Sequence, residues 1–193
     1  MIMSESIYLA SQSPRRRELL EQIGIEFEVL RAEIDETPLD NEAAGDYVKR
    51  LAIEKAKAGQ AIAMANKPVL GADTIVVLDD QLLGKPRNKD HAISMLLALA
   101  GRQHQVMTAV ALVQGDVVVS DVVTTAVTFR IISEQEALNY WDSEEPKDKA
   151  GGYGIQGLGA QFVEKIDGCY FAVVGLPLMK TQQLLSKLSF LVK

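Results

Sequence analysis

The chain has 193 residues, 48% hydrophobic and 24% charged, which is ordinary globular composition and excludes a disordered, fibrous or mucin-like chain. Its 20 Lys and Arg against 26 Asp and Glu give a net charge of −6, which disfavours general binding to nucleic acid or an anionic membrane. One cysteine, Cys169, excludes an internal disulfide and a cysteine-rich zinc site and fits a reducing cytoplasm; no apolar run approaches the ~18 residues of a membrane span, and the charge up to Arg17 follows the first apolar stretch, unlike a signal peptide.

In chain order, Ile7–Ala10 reads as a short strand. Ser13 and Pro14 open a helix, with Ser as N-cap and Pro at the first helical position, and Gly24 stops it. Phe27–Arg31 reads as a strand and Asp35–Pro38 as a loop. A long helix is expected from Glu42 to Asn66. Pro68–Leu78 is a strand turned at Asp79-Asp80 into Gln81–Leu83, and a helix spans Asp90–Ala100. Gln105–Val113 and Val117–Ile132 form a hairpin around Gly115-Asp116. Ser133-Glu134-Gln135-Glu136 is a capping box that starts another helix. Lys147–Gly159 is a glycine-dense loop, two strands flank Asp167-Gly168, and a final helix follows Pro177. The alternation predicts a single α/β domain over residues 1–193, with a mixed central sheet and flanking helices.

Four places break the local rules. Arg15, Arg16 and Arg17 crowd the first turn of a helix, where the macrodipole favours anions. Arg16 shares a face with Leu19, Leu20 and Ile23, so it either meets a bound phosphate beside free backbone N–H groups or snorkels to water. In the long helix Tyr47, Leu51, Ala58 and Ile62 mark an apolar face, and Lys55 lies on it; an inward lysine needs an anionic ligand, a cleft or a buried ion-pair partner. Asp73 interrupts an apolar strand and shares a face with Val69, Gly71, Ile75 and Val77. Its carboxylate needs a cation, a metal or donors, and Gly71 leaves room for substrate or backbone to approach. Lys85, in Gly84-Lys85-Pro86, is held in a rigid turn at a strand end, as a ligand group or as a surface lysine.

Gly152-Tyr153-Gly154-Ile155-Gln156-Gly157 fits G-x-G-x-x-G, but an expected strand over Gln161–Lys165 follows it and no helix opens there, so the dinucleotide reading fails. There is no Walker-type phosphate loop, and His91 and His104 are isolated, which leaves no histidine metal cluster or catalytic triad.

Taken in order, Ser11-Gln-Ser-Pro-Arg-Arg16, Ile34-Asp-Glu36, Glu54-Lys-Ala56, Gly71-Ala-Asp-Thr74, Gly84-Lys-Pro86, His104-Gln-Val-Met-Thr108, Asp148–Gly157 and Val174-Gly-Leu-Pro177 closely resemble the Maf family of nucleoside triphosphate pyrophosphatases. The landmarks cover nearly the whole chain. The resemblance implies two lobes around a central cleft, akin to the inosine triphosphate pyrophosphatases. It implies hydrolysis of a nucleoside triphosphate to monophosphate and pyrophosphate with a divalent cation, Mg²⁺ or Mn²⁺. The family's general base falls on Asp73, and its polar cleft residues on Ser11, Arg16, Glu36, Lys55 and Lys85. Arg15, Thr74 and Gln156 match the specificity positions of the subgroup resembling dTTP/UTP pyrophosphatases, not those of the sister subgroup acting on 7-methyl-GTP. Glu36 with Asp73 would bind the metal through oxygen ligands. The resemblance also implies a cytoplasmic homodimer that removes non-standard nucleotides, with a link to septum formation and cell-division arrest. The competing readings are a non-catalytic nucleotide-binding regulator of septum formation, an interaction protein with a vestigial pocket, and a purine enzyme of the inosine triphosphate type.

Overall fold

The structure, a computed structural model, describes residues 6–192. The described strands are β1 (Ile7–Leu9), β2 (Phe27–Val29), β3 (Val69–Leu78), β4 (Gln81–Leu83), β5 (Gln103–Gln114), β6 (Val117–Phe129) and β7 (Val163–Asp167). The helices are α1 (Pro14–Gln22), α2 (Ala44–Ile62), α3 (Lys89–Leu99), α4 (Glu134–Asp142), α5 (Tyr170–Val174) and α6 (Leu178–Leu191). One sheet runs in the order β2-β1-β3-β5-β6-β7, with β4 added to β3. β1 pairs in parallel with β2 and β3, while β3–β4 and β6–β7 are antiparallel, so the sheet is mixed as expected. The chain divides into two compact units. The first holds the chain up to Asp73, Thr108–Val123 and everything from Gly175; the second holds Thr74–Met107 and Thr124–Val174.

In the first unit, β1 is buried along its length and sets Tyr8 opposite Val69 and Leu9 opposite Leu70. β3 is buried at every position but Thr74, the pattern of a strand covered on both faces. α2 covers β1 and β3 with a stripe of small residues, Ala52, Ala56 and Gly59. The contact is backbone on backbone. A Cβ on Gly71 would lie 2.2 Å from the Ala52 carbonyl oxygen and 2.6 Å from the Ala56 nitrogen. The approach that Gly71 permits is therefore that of a helix.

The second unit has an aromatic core. Phe129 meets His104, Tyr153 and Phe162, and Tyr140 packs edge-on against Phe162 at 5.1 Å between ring centres. His104 is buried in this core, edge-on to Phe129 and Tyr153. α4 starts at the anticipated capping box, with both reciprocal bonds between Ser133 and Glu136 formed.

Several boundaries differ from expectation. α2 ends at Ile62, because Ala63 turns extended to carry the chain back into β3 beside β1, and Ile62 and Met64 are exposed. The buried face of α2 runs through Tyr47, Val48, Leu51, Ala52, Ala56 and Gly59. The glycine-dense segment is ordered as short 3-10 turns at Glu145–Asp148, Ala150–Gly152 and Leu158–Phe162. Only one strand stands at Asp167-Gly168: the aromatic and β-branched run after it forms α5, where the Thr125 hydroxyl bonds both the amide and the carbonyl of Cys169. Among the described residues, no helix is long and apolar enough to cross a membrane.

Candidate active site

The first unit gathers six of the residues singled out in the sequence. Asp73 projects from β3 on the same face as Gly71, two residues on, and therefore toward α2. Lys55 rises from α2 between Ala52 and Ala56, the residues that Gly71 touches. Its Nζ lies 2.6 Å from Asp73 Oδ1 and 2.7 Å from Glu36 Oε1. Lys55 and Asp73 are largely shielded, with side chains 16% and 13% exposed, whereas Glu36 is 52% exposed at the open side. The Lys55 ammonium thus bridges an inner and an outer carboxylate.

Arg16 comes to the same group from α1. Its Nε donates to the Gly175 carbonyl at 2.9 Å and its Nη1 to Ser11 Oγ at 3.1 Å. Burial pulls its guanidinium below the ordinary arginine value, opposed by the negative charges of Asp73 and Glu36, while neighbouring Arg15 adds to the lowering. Ser11 Oγ also accepts from the Ser13 amide at 3.3 Å, and Ser13 makes no side-chain cap bond of its own.

Sequence reasoning missed the residues that hold this group in place. The Tyr47 hydroxyl donates to the Glu36 carbonyl at 2.8 Å. Burial, then the charges of Asp73 and Glu36, push the Tyr47 phenol above its usual value. Arg50 donates to both carboxylate oxygens of Glu42 and to the Thr37 carbonyl, fastening the segment after Glu36 onto α2. The paired Glu42 carboxyl falls to about 2, chiefly through the Arg50 hydrogen bonds. Tyr47 was legible only as part of an apolar face, because a phenol is apolar along its ring and polar at its tip.

Thr74, Lys85 and Gln156 belong to the second unit. Thr74 follows Asp73 directly on β3 and is half-buried. Lys85 is exposed in a turn whose Gly84 carbonyl accepts from the Gly151 amide at 3.0 Å. Gln156 is exposed in the glycine-dense segment that the Gly151 amide begins to anchor.

The carboxylates fit a hard cation. One ammonium already stands within 2.7 Å of both Glu36 and Asp73. Among the described residues, no group of three or more His, Cys, Asp and Glu could hold a metal. Glu36 and Asp73 offer carboxylate oxygens, the donor type of a hard divalent cation.

A match to the Maf-like protein family extends over residues 6–188. The chain belongs to the Maf family. It is 55% identical over 183 residues to the dTTP/UTP pyrophosphatase of Pseudoalteromonas translucida, covering 95% of this chain and 97% of that protein. It is 53% identical to the dTTP/UTP pyrophosphatase of Escherichia coli, over 96% of this chain and 94% of that one. Among solved structures, the Staphylococcus aureus Ham1 protein aligns with a TM-score of 0.45 at 18% identity, over 67% of this chain and 73% of its own.

Proposed function

We propose that this Maf protein is a nucleoside triphosphate pyrophosphatase that hydrolyses dTTP and UTP to the monophosphate and pyrophosphate. The observation that carries the reading is the Lys55 ammonium seated between Glu36 and Asp73 beside Arg16. Relatives more than half identical over nearly their full length bear the name dTTP/UTP pyrophosphatase.

A triphosphate brings about four negative charges to a protein already at −6, so binding needs concentrated cations. Arg15, Arg16, Lys55 and Lys85 supply them. Ser11 Oγ accepts from both Arg16 and the Ser13 amide, which leaves its hydroxyl proton to donate to a phosphate oxygen. Asp73 takes the proton from the water that attacks the α-phosphorus, and pyrophosphate departs. Lys55, released from Asp73 toward the phosphates, neutralises charge that builds on the leaving group. Glu36 and Asp73 would hold the divalent cation, which when bound supplies further positive charge to the phosphate oxygens. Arg15, Thr74 and Gln156 are the residues assigned to base recognition; the Gln156 amide offers both a donor and an acceptor to a pyrimidine edge. The reading extends to a cytoplasmic homodimer acting on free nucleotides.

The test is pyrophosphate release across standard and modified nucleoside triphosphates, with Mg²⁺ and Mn²⁺ assayed separately. dTTP and UTP should be turned over well ahead of purine triphosphates. A panel led by GTP or 7-methyl-GTP overturns the base preference, and nucleotide binding without pyrophosphate release favours the regulator of septum formation.

A further inference from the structure

The glycine-dense segment carries Gln156, and it is held by two residues outside the proposed site. Glu145 Oε1 accepts from the Tyr140 hydroxyl at 2.7 Å and from the Gly159 amide at 3.0 Å, and its Oε2 accepts from the Leu158 amide at 2.7 Å. The Tyr140 oxygen in turn accepts from the Gly154 amide at 3.0 Å. Three backbone N–H groups, two residues before Gln156 and two and three residues after it, therefore converge on one carboxylate and one phenol.

The clamp is anchored from below. Tyr140 is 3% exposed, on α4, and its ring packs against Phe162. The segment has been kept clear for it: a Cβ on Gly157 would lie 2.2 Å from Glu145 Oε2, and one on Gly159 would lie 2.6 Å from the Tyr140 oxygen. Gly157, the last glycine of the G-x-G-x-x-G look-alike, thus makes room for a protein carboxylate. Burial raises the Glu145 carboxyl, but the bonds from Gly159, Tyr140 and Leu158 and the charge of Lys149 outweigh it, so the group stays ionised and acceptor-only.

We infer that Glu145 and Tyr140 are positioning residues for Gln156, fixing the backbone on both sides of it and so setting the selectivity for the nucleotide base. The inference rests on the reading of Gln156 as a base-recognising residue. A loop that carries a single amide to a base edge discriminates only if the amide is held to a fraction of an ångström, and the exposed stretch Gln156-Gly157-Leu158 has no such stiffness of its own. The carboxylate supplies it without touching substrate. Glutamine cannot replace it, because its amide group would set a donor against the Leu158 N–H.

The experiment uses the full chain with dTTP, UTP and GTP, and compares Tyr140→Phe, Glu145→Gln and Gly157→Ala with Gln156→Ala. Amide hydrogen exchange at Gly154, Leu158 and Gly159 should quicken in the first three. Each should raise KM for dTTP about tenfold, with kcat within about twofold, the effect of one or two lost hydrogen bonds on placement. Selectivity for dTTP over GTP should fall about as far as in Gln156→Ala, and adding Gln156→Ala to Tyr140→Phe should cost little more. Gly157→Ala displaces the Glu145 carboxylate without removing any polar group, so it carries the test where another variant fails to fold. Quickened exchange with unchanged selectivity in folded variants, while Gln156→Ala does lose selectivity, overturns the positioning role alone. Unchanged selectivity in Gln156→Ala overturns the parent assignment and this inference with it.

Discussion

The Lys55 ammonium lies 2.6 Å from the Asp73 carboxylate, and the two reach each other from a helix and a strand whose backbones meet at Gly71. With Glu36 and Arg16 added, two anions face two cations, and Arg15 beside Arg16 adds a third positive charge.

That balance predicts opposite effects on binding and turnover for Asp73→Asn. Removing one negative charge makes the group more positive, and dTTP should bind at least as tightly as to the unaltered protein. Turnover should fall about 10²- to 10⁴-fold, the usual worth of a general base. Calorimetric titration and steady-state kinetics read the two; near-normal turnover in folded protein removes Asp73 from the role of base.

Lys55→Ala strips both carboxylates of a shared partner. Asp73 is mostly shielded, so stability should drop by about 1–3 kcal/mol, less than for a fully buried pair because Glu36 is half open to water. KM for dTTP should rise as well. Urea unfolding and kinetics together check this, and lost stability with intact kinetics would mark Lys55 as a structural ion pair only.

Gly71→Ala puts a methyl group into the Ala52 and Ala56 backbone. No rotamer relieves that clash, so α2 must lift from β3 at a cost of about 3 kcal/mol or more. Activity should fall along with stability in urea titrations, although no ionisable group has changed.

Tyr47→Phe keeps the ring in the core and removes the bond to the Glu36 carbonyl. The fold should survive with a loss of about 1 kcal/mol. The Glu36 segment should loosen, seen as a higher metal concentration for half-maximal activity with little change in kcat.

Stability should depend on pH through His104. Burial holds its imidazole at about 4, against 6.5 in an unfolded chain, and its Nε2 stands 2.8 Å from the Tyr153 hydroxyl. Between those values the unfolded chain takes up a proton that the native core refuses, so stability falls as pH drops from 6.5 toward 4, by about 3 kcal/mol in all. The paired Glu42 and Glu136, both near 2, weaken only below 4.5 and leave the upper part of that window clear. Denaturation curves at pH 7 and 5 should differ in the parent protein and converge in His104→Phe.

The sheet, the helices and the inward charges of Arg16, Lys55 and Asp73 were legible because each breaks or keeps a period that one segment displays alone. The second strand after Gly168 was misread because Tyr170 to Val174 has strand composition, yet the run folds as a helix, with Cys169 just before it bonded through its amide and carbonyl to the Thr125 hydroxyl. The order within the glycine-dense segment was invisible for a related reason. It comes from Glu145 and Tyr140, whose contacts with Gly154, Leu158 and Gly159 leave no periodic trace.

The stripe of Ala52, Ala56 and Gly59 against Gly71 and Val69 has a consequence for how this chemistry can vary among descendants of the chain. Lys55 and Asp73 are brought together by backbone neighbours that bear neither charge nor polarity, so the spacing of that pair is inherited from methyls and bare hydrogens. A lineage is free to retune its acids and bases one at a time and still present them from the same seat. One that enlarges the inert residues loses the seat while every reactive group is still written in its sequence.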